Sequence, residues 1–117
     1  YRPGTGRNPA AAAVGVDPVK FLSLLGIAQA AGRLASGNSA CEEAFRRDRV
    51  HLLIFAQDAS DNVKRKFSIE AARKGVPTME IATKESLGKA IGKPDRAVIA
   101  VCDPAFAKAL VSAAESD

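Results

Sequence analysis

The amino-acid sequence predicts an α/β fold, a three-layer α/β/α sandwich formed by one domain. Two continuous apolar runs, Val50–Ala56 and Ala97–Val101, have the length and composition of strands that are covered on both faces. Segments with helical spacing of apolar residues alternate with these runs, which favours a sheet between two layers of helices. At 117 residues the chain is long enough for one ordinary domain and too short for two.

The N-terminal residues 1–16 are predicted to be a flexible tail or linker, and residues 17–117 the ordered domain. The tail is rich in Gly, Pro and Ala and shows no amphipathic period. Asp17 is a good N-cap residue and Pro18 suits the first helical position, so a first helix is expected to begin here. Its apolar spacing ends near Ala31–Gly32.

A brief strand and a second helix are predicted next. The segment Gly32–Gly37 is bounded by glycines and too short for a helix, which is compatible with a short strand. Asn38 or Ser39 is expected to cap a helix that runs to about Arg47. The residues of this helix that face the core are predicted to be Cys41, Ala44 and Phe45.

The second half of the chain continues the alternation. A residue within Asp58–Ser60 is expected to cap a third helix, which ends at Lys74–Gly75 because glycine readily adopts the left-handed conformation. The remaining predicted elements are a strand at Thr78–Ile81, a helix capped by Thr83 that runs to Ile91, the strand at Ala97–Val101, and a final helix from Asp103–Pro104 to about Ala113.

Composition and charge exclude some classes of protein. No apolar run approaches the roughly 18 residues that cross a bilayer, and no signal peptide is recognisable, so a cytoplasmic protein without a membrane partner is expected. The two cysteines show no metal-binding spacing and are expected to be reduced thiols. Lys and Arg number 17 against 13 acidic residues, a net charge of +4 that suits nucleic acid but is weak evidence alone.

No catalytic constellation is recognisable. The single histidine, His51, stands at the entrance to a buried strand, where a structural or surface role is expected. The glycine patterns that cradle nucleotide phosphates are missing. Carboxylates at strand ends can hold Mg²⁺, but helix capping accounts for Asp58 and Asp103. The sequence therefore predicts a binding protein without enzymatic activity, cofactor, metal or small-molecule substrate.

The segment that opens at Gly37 is the predicted functional surface. Gly37 lies immediately before a helix, whose first backbone N–H groups and dipole favour phosphate. Arg33 precedes it in the chain. If the carboxyl ends of the strands share one edge, the basic residues of the helices form a crescent for an RNA backbone, and otherwise they are ordinary solvated charges. These residues are Arg46, Arg47, Arg49, Lys64, Arg65, Lys66, Lys84, Lys89, Lys93 and Arg96.

Three segments of the chain are similar to a known family: GRLASGNSACEEAFRRDRVHLLIFAQDAS, VPTMEIATKESLGKAIGK and RAVIAV. Over roughly Phe21–Leu110 the chain resembles the L-seven-Ae superfamily of ribosomal and kink-turn RNA-binding proteins, in particular its bacterial YlxQ-like branch. The resemblance implies a mixed four-stranded sheet between helices and RNA recognition at the start of the second helix.

The family's recognition motif reads Gly-Thr-Asn-Glu-x-x-Lys, and this chain departs from it. Gly37 is kept and Asn38 follows it, but Ser39 stands where Asn is expected, Ala40 where Glu is expected and Glu43 where Lys is expected. A serine hydroxyl lacks the paired donor and acceptor of an amide, and a carboxylate repels phosphate. These departures argue against tight, base-specific binding of a kink-turn.

Other family contact positions carry basic residues here, which implies binding of structured RNA, ribosomal or other, mainly through phosphate contacts and shape. The hypothesis is an RNA-binding protein associated with the ribosome or translation. The alternatives are a protein-interaction module that has lost RNA binding and a domain detached from an RNA-modifying enzyme. The predicted RNA-binding residues are Arg33, Gly37, Asn38, Ser39, Glu43, Arg47, Lys64, Lys84, Lys89 and Arg96.

The N-terminal tail also fits a weaker resemblance, to fusion proteins in which a YlxR-like domain precedes a YlxQ-like domain. In that interpretation Tyr1–Val16 is an interdomain linker, and an N-terminal partner domain contributes to RNA affinity. A tag or cleavage remnant is the competing explanation of the same residues.

Overall fold

A computed structural model of the chain describes residues 18–116, and the predicted tail at residues 1–16 lies outside them, as does Asp17. Within residues 18–116, five helices alternate with four strands. In chain order they are α1 (Val19–Ala30), β1 (Leu34–Ser36), α2 (Asn38–Arg46), β2 (Leu52–Phe55), α3 (Asp61–Lys74), β3 (Thr78–Glu80), α4 (Lys84–Ala90), β4 (Val98–Val101) and α5 (Pro104–Ser116).

The strands form one mixed sheet in the order β1-β4-β2-β3. β4 is antiparallel to both β1 and β2, whereas β3 is parallel to β2. Every residue of β2 and β4 is buried, as expected for central strands that are covered on both faces. The mixed four-stranded sheet that the resemblance implied is confirmed.

Alternate strand residues supply two separate cores. Leu52 and Ile54 pack with the apolar residues of α1, α4 and α5, among them Phe21. Leu53 and Phe55 point to the other face and pack with those of α2 and α3. The sheet therefore lies between a layer of three helices and a layer of two, and the predicted three-layer α/β/α sandwich is confirmed.

Most of the predicted helix ends are confirmed by their capping contacts. The Ser60 hydroxyl accepts a hydrogen bond from the Val63 N–H at 3.2 Å at the start of α3. The Thr83 hydroxyl accepts one from the Ser86 N–H at 3.1 Å at the start of α4. Gly75 ends α3 in the left-handed conformation, with φ at 69°. These local signals are readable from sequence because each cap depends on residues within one turn.

The cap predicted for the second helix is wrong. The N-cap is Gly37, with φ at 91°, and neither Asn38 nor Ser39 caps the helix because both already lie within it. The Gly37 N–H donates to the Val98 carbonyl at 3.0 Å, so the chain leaves the sheet at this residue. At a positive φ that other residues rarely adopt, Gly37 turns the chain directly into the helix. The helix therefore begins at Asn38, earlier in the chain than a cap at Asn38 or Ser39 would allow.

Other boundaries differ from the predicted ones by one to three residues; among the strands, β2 covers only Leu52–Phe55 of the run Val50–Ala56, and β3 ends at Glu80 rather than Ile81. The N-cap of α1 is Pro18 rather than Asp17, so the helix begins at Val19. α5 continues to Ser116 rather than ending at Ala113, because Ala114 is buried against the core and prolongs the apolar face. Asp58, which was considered as a cap of α3, instead accepts a hydrogen bond from the Lys84 N–H at 2.8 Å.

Close backbone packing holds α4 in place. A Cβ at Gly88 would lie 2.1 Å from the Pro94 carbonyl oxygen, so only glycine allows α4 and the following loop to approach this closely. A Cβ at Gly26 of α1 would lie 2.9 Å from the Ala90 carbonyl oxygen. Of the two glycines in the Leu87–Gly92 segment, Gly88 is therefore the one that this packing requires.

Candidate nucleic-acid interface

One edge of the sheet collects the beginnings of three helices. Because β1 and β2 are both antiparallel to β4, and β3 is parallel to β2, the carboxyl ends of β1, β2 and β3 meet at one edge with the amino end of β4. We call this edge the rim and define it by residues 36–39, 56–60, 81–84 and 95–97. α2, α3 and α4 all begin at or just beyond it.

Hydrogen bonds join the segments of the rim into one surface. The Gln57 N–H donates to the Ala82 carbonyl at 2.8 Å, and the Ala56 N–H donates to the Ala97 carbonyl at 2.9 Å. The Arg96 N–H donates to the Lys84 carbonyl at 3.0 Å. The rim is consequently a continuous backbone platform on which the basic side chains have fixed attachment points.

The start of α2 presents backbone donors at the rim. No side chain caps this helix, so the N–H groups of its first turn remain available to a ligand or to water. Arg96 lies beside Gly37: its Nε donates to the Ser36 hydroxyl at 3.1 Å, and a Cβ on Gly37 would lie 4.0 Å from that nitrogen. A guanidinium and a helix N-terminus together favour an anion at this position.

A second group of basic side chains continues from Arg96 along α4. The loop after α4 runs back beside the helix, because the Lys93 N–H donates to the Gly88 carbonyl at 2.8 Å and Arg96 is bonded to Lys84. We call Lys84, Lys89, Lys93 and Arg96 the α4 cluster. Among residues 18–116, no carboxylate forms an ion pair with any of the four. Their charge is therefore not neutralised by a paired carboxylate, although the Arg96 guanidinium is held within the protein: its Nη1 donates to the carbonyls of Pro94 at 3.3 Å and of Asp95 at 3.1 Å.

The basic residues of α2 are arranged differently. Glu43 accepts hydrogen bonds from Arg46 Nη2 at 2.5 Å and from Arg47 Nε at 2.6 Å. The hydrogen bond from Arg47 and the charge of Arg46 lower the pKa of Glu43 below its usual value. We call these three residues the α2 cluster. Arg46 and Arg47, two of the basic residues predicted for the crescent, thus share Glu43 as their carboxylate partner.

Lys64 is also engaged within the protein. Its Nζ donates to the Gln57 carbonyl at 3.0 Å and lies 3.3 Å from a carboxylate oxygen of Glu80. Only 25% of the side chain is exposed. Lys66, two residues further along α3, forms an ion pair with Glu42 of α2. These lysines link α3 to its neighbours, which reduces the charge that they offer at the rim.

Arg33 does not lie at the rim. It precedes β1, and its carbonyl accepts a hydrogen bond from the Cys102 N–H at 2.8 Å, so it stands at the opposite edge of the sheet. There its Nε lies 3.7 Å from an Asp103 carboxylate oxygen. The grouping of Arg33 with Gly37 is wrong because the intervening strand separates two residues that are only four apart in the chain.

The remaining predicted residues are at the rim, although their chemistry is limited. Asn38, Ser39 and Ala40 are exposed in the first turn of α2. Acidic residues also belong to this surface: Asp58 and Asp95 lie within the rim, and Asp61 and Glu85 lie in the first turns of α3 and α4. Ser36, which positions the Arg96 guanidinium, was missed by sequence reasoning because a serine at the end of a short strand carries no distinguishing signal.

The other candidate reactive groups are not assembled into a site. His51 is exposed, and among residues 18–116 no group of three His, Cys, Asp or Glu side chains is arranged to hold a metal. Burial raises the pKa of the Cys41 thiol to about 12, and it also raises the pKa of the half-buried Cys102. No described helix is long and apolar enough to span a membrane.

Comparison with protein families gives a match across most of the chain. Residues 20–111 match the ribosomal protein L7Ae/L30e/S12e/Gadd45 family. The chain belongs to this family. The match includes the rim, the α4 cluster and the α2 cluster, so the surface described above lies within the family's own domain.

Two relatives of this family member are bacterial. The RNA-binding protein YlxQ of Bacillus subtilis (strain 168) is 33% identical over 94 residues, which cover 80% of this chain and 94% of the relative. The RNA-binding protein YlxQ of Enterococcus faecium is 33% identical over 89 residues, covering 76% of this chain and 85% of the relative. The similarity to YlxQ proteins expected from the sequence is confirmed.

Known structures agree with the fold. A protein of unknown function from Bacillus halodurans C has a TM-score of 0.78 and 33% identity, covering 82% of this chain and 97% of its own. The Giardia lamblia 15.5kD RNA binding protein has a TM-score of 0.68 and 19% identity, covering 94% and 95% of the two chains. The second likeness concerns the fold alone.

Proposed function

We propose that this domain binds structured RNA at the rim and along the neighbouring α4 cluster, mainly through contacts with phosphate groups. The observation that carries the proposal is the α4 cluster, whose four cations have no carboxylate partner among the described residues and begin beside the uncapped start of α2. Its relatives in Bacillus subtilis and Enterococcus faecium are named RNA-binding proteins, which supports RNA as the ligand.

The geometry suits a phosphate more than a base edge. A phosphate near Gly37 meets the N–H groups of the first turn of α2 and the Arg96 guanidinium, and both kinds of donor favour an anion. Lys84 lies at the start of α4, next to Arg96, whereas Lys89 lies in the last turn of the helix. Contacts of this kind determine position and affinity but carry no sequence information.

Recognition of bases is expected to be weak. Ser39 and Ala40 occupy the exposed first turn of α2, where the family's motif has an amide and a carboxylate. Neither side chain offers the paired donor and acceptor groups that read a base edge. We infer that the RNA is selected by its folded shape, and that the protein serves the ribosome or translation in the cytoplasm as a binding factor without a catalytic step.

Fluorescence anisotropy tests this proposal with three probes of equal length: a kink-turn RNA, the same RNA with its sheared G·A pairs replaced by Watson–Crick pairs, and single-stranded RNA. We expect both structured RNAs to bind more tightly than the single strand, with less than about tenfold difference between them. The logarithm of the binding constant should fall with the logarithm of salt concentration with a slope of about −3, from three to four phosphate contacts.

Absence of binding to all three probes at low salt would overturn the proposal. A difference of a hundredfold or more between the two structured RNAs would contradict its claim about base recognition. A protein partner that survives nuclease treatment, together with no RNA binding, would instead favour the protein-interaction module.

A further inference from the structure

Glu43 lies on α2 between two arginine side chains. Both of its carboxylate oxygens are bonded, one to Arg46 at 2.5 Å and the other to Arg47 at 2.6 Å. It lies five residues beyond the first residue of α2, which is about 8 Å along the helix axis. Side chains on a helix lean toward its N-terminus, so both guanidinium groups reach back toward the rim.

The carboxylate of Glu43 remains ionised when the protein binds ligands at neutral pH. Its pKa is lowered by the hydrogen bond from Arg47 and then by the charge of Arg46. An RNA backbone that approaches these arginines therefore meets a fixed negative charge between them. The side chains of the α4 cluster form no ion pair with a carboxylate among the described residues, and the Asp58 carboxylate accepts a hydrogen bond from the backbone N–H of Lys84.

We propose that Glu43 determines how RNA docks on this domain: it competes with RNA phosphate for Arg46 and Arg47, which weakens attraction at α2 and directs the backbone toward the α4 cluster. This inference rests on the proposed function and specifies which part of the surface dominates. Glu43 thereby acts as a specificity-determining residue that selects against an RNA requiring phosphate contacts along α2.

Two opposing effects of Glu43 have to be weighed. The carboxylate holds the arginines in a defined conformation, which reduces the entropy lost when they bind phosphate. Exposed ion pairs within a helix are weak, however, and many have no measurable effect. Repulsion between a carboxylate and a phosphate about 5 Å apart changes affinity about fourfold even in a medium as polarisable as water. The two effects are of similar size, and we expect repulsion to outweigh the loss of order, so removing the charge should strengthen binding.

The decisive experiment compares Glu43→Gln, Glu43→Lys and the wild type by anisotropy with the kink-turn RNA probe over a series of salt concentrations. Glu43→Gln should bind about fourfold more tightly. Its salt slope should steepen by about one, because an arginine released from Glu43 adds one phosphate contact. Glu43→Lys should bind more tightly still. Thermal unfolding of each variant checks that the fold is retained.

Glu70→Gln is the matched control. Glu70 pairs with Arg73 in the same i,i+3 arrangement at 3.2 Å, but it lies nine residues into α3, further from the rim. The Glu70→Gln variant removes one negative charge, as Glu43→Gln does, and releases one arginine, so it controls for net charge. We expect its affinity for the probe to change by less than about twofold.

Three outcomes separate the inference from the proposed function. If the wild type binds and Arg96→Gln weakens binding, while Glu43→Gln leaves affinity and salt slope unchanged or lowers affinity, the inference about Glu43 is overturned and the proposed function stands. If the wild type, Glu43→Gln and Glu43→Lys all fail to bind at low salt, both are overturned. An equal gain in Glu70→Gln and Glu43→Gln would reduce the effect to net charge and overturn the inference as well.

Discussion

The α2 cluster and the α4 cluster carry similar positively charged side chains in different electrostatic states. Glu43 lies between Arg46 and Arg47 and accepts a hydrogen bond from each. Lys84 and Arg96, by contrast, are joined through the backbone, and neither side chain forms an ion pair among residues 18–116, although the Asp58 carboxylate accepts a hydrogen bond from the Lys84 backbone N–H. The comparison teaches that a count of basic residues overstates the charge that a surface offers to a ligand, because paired cations contribute less.

The difference arises from helix length and from the route of the chain. Glu43 and Arg46 lie within α2 and Arg47 is its C-cap residue, so both arginines are close to the i,i+3 and i,i+4 positions from which they can reach Glu43. In α4, Glu85 precedes Lys89 by four residues, yet the structure has no ion pair between them. Lys93 and Arg96 belong to the loop that returns beside α4, where their positions depend on close backbone packing.

The largest expected effect is on stability and concerns the close packing of α4 against the loop that carries Lys93 and Arg96. Gly88→Ala should lower the free energy of unfolding by about 3 kcal/mol, because the new Cβ overlaps the Pro94 carbonyl, although alanine is the better helix former by about 1 kcal/mol. Urea denaturation measures this change. The control is Gly75→Ala, where no atom lies within 4 Å and only the positive φ is unfavourable, at about 1 kcal/mol. Equal losses in the two variants would contradict the close-packing argument.

The next effect concerns RNA affinity. Arg96→Gln should weaken binding of the kink-turn RNA about tenfold, which is about 1.4 kcal/mol, since Arg96 lies beside Gly37 without a carboxylate partner. Arg47→Gln should weaken it about twofold, because this guanidinium is already shared with Glu43.

Lys108→Gln on α5 is the control for net charge in that pair of measurements, and its anisotropy curve should match that of the wild type. The comparison between the two clusters would fail if Arg47→Gln proved as damaging as Arg96→Gln under identical salt conditions.

The smallest expected effect comes from the helix caps. Thr83→Ala and Ser60→Ala should each lower the free energy of unfolding by about 1 kcal/mol, because each removes the hydroxyl that accepts an N–H in a first helical turn. Only Thr83→Ala should also weaken RNA binding, by about threefold, since a loosened α4 displaces Lys84. Parallel denaturation and anisotropy measurements check this, and equal RNA binding by the two variants would show that α4 needs no such support.

Much of the fold was predictable because its signals are local. The apolar runs predicted at Val50–Ala56 and Ala97–Val101 contain the two central strands, Leu52–Phe55 and Val98–Val101, and Ser60, Thr83 and Gly75 mark helix ends as their chemistry indicates. The predicted start of α2 was wrong because a side-chain cap was assumed, whereas the N-cap residue is Gly37 and its backbone conformation begins the helix. Glycine gives no side-chain signal that distinguishes these two possibilities.

The candidate surface was only partly predictable because it is assembled by strand order. Gly37, Lys84 and Arg96 meet because β4 inserts between β1 and β2, which places the end of β1 beside the start of β4. The same order sends Arg33 to the opposite edge of the sheet. Residues that are close in the chain are thus separated, and residues sixty positions apart, Ser36 and Arg96, are hydrogen-bonded.

By itself the sequence determined the alternation of helices and strands, the α/β layers and the relationship to the L7Ae-containing family, because periodicity, caps and motif order are properties of the chain. Only the tertiary structure decided which basic residues share the rim and which of them are paired with carboxylates. Charge pairing depends on distances of a few ångströms between side chains from different turns and elements, and these are set by packing and strand order rather than by composition.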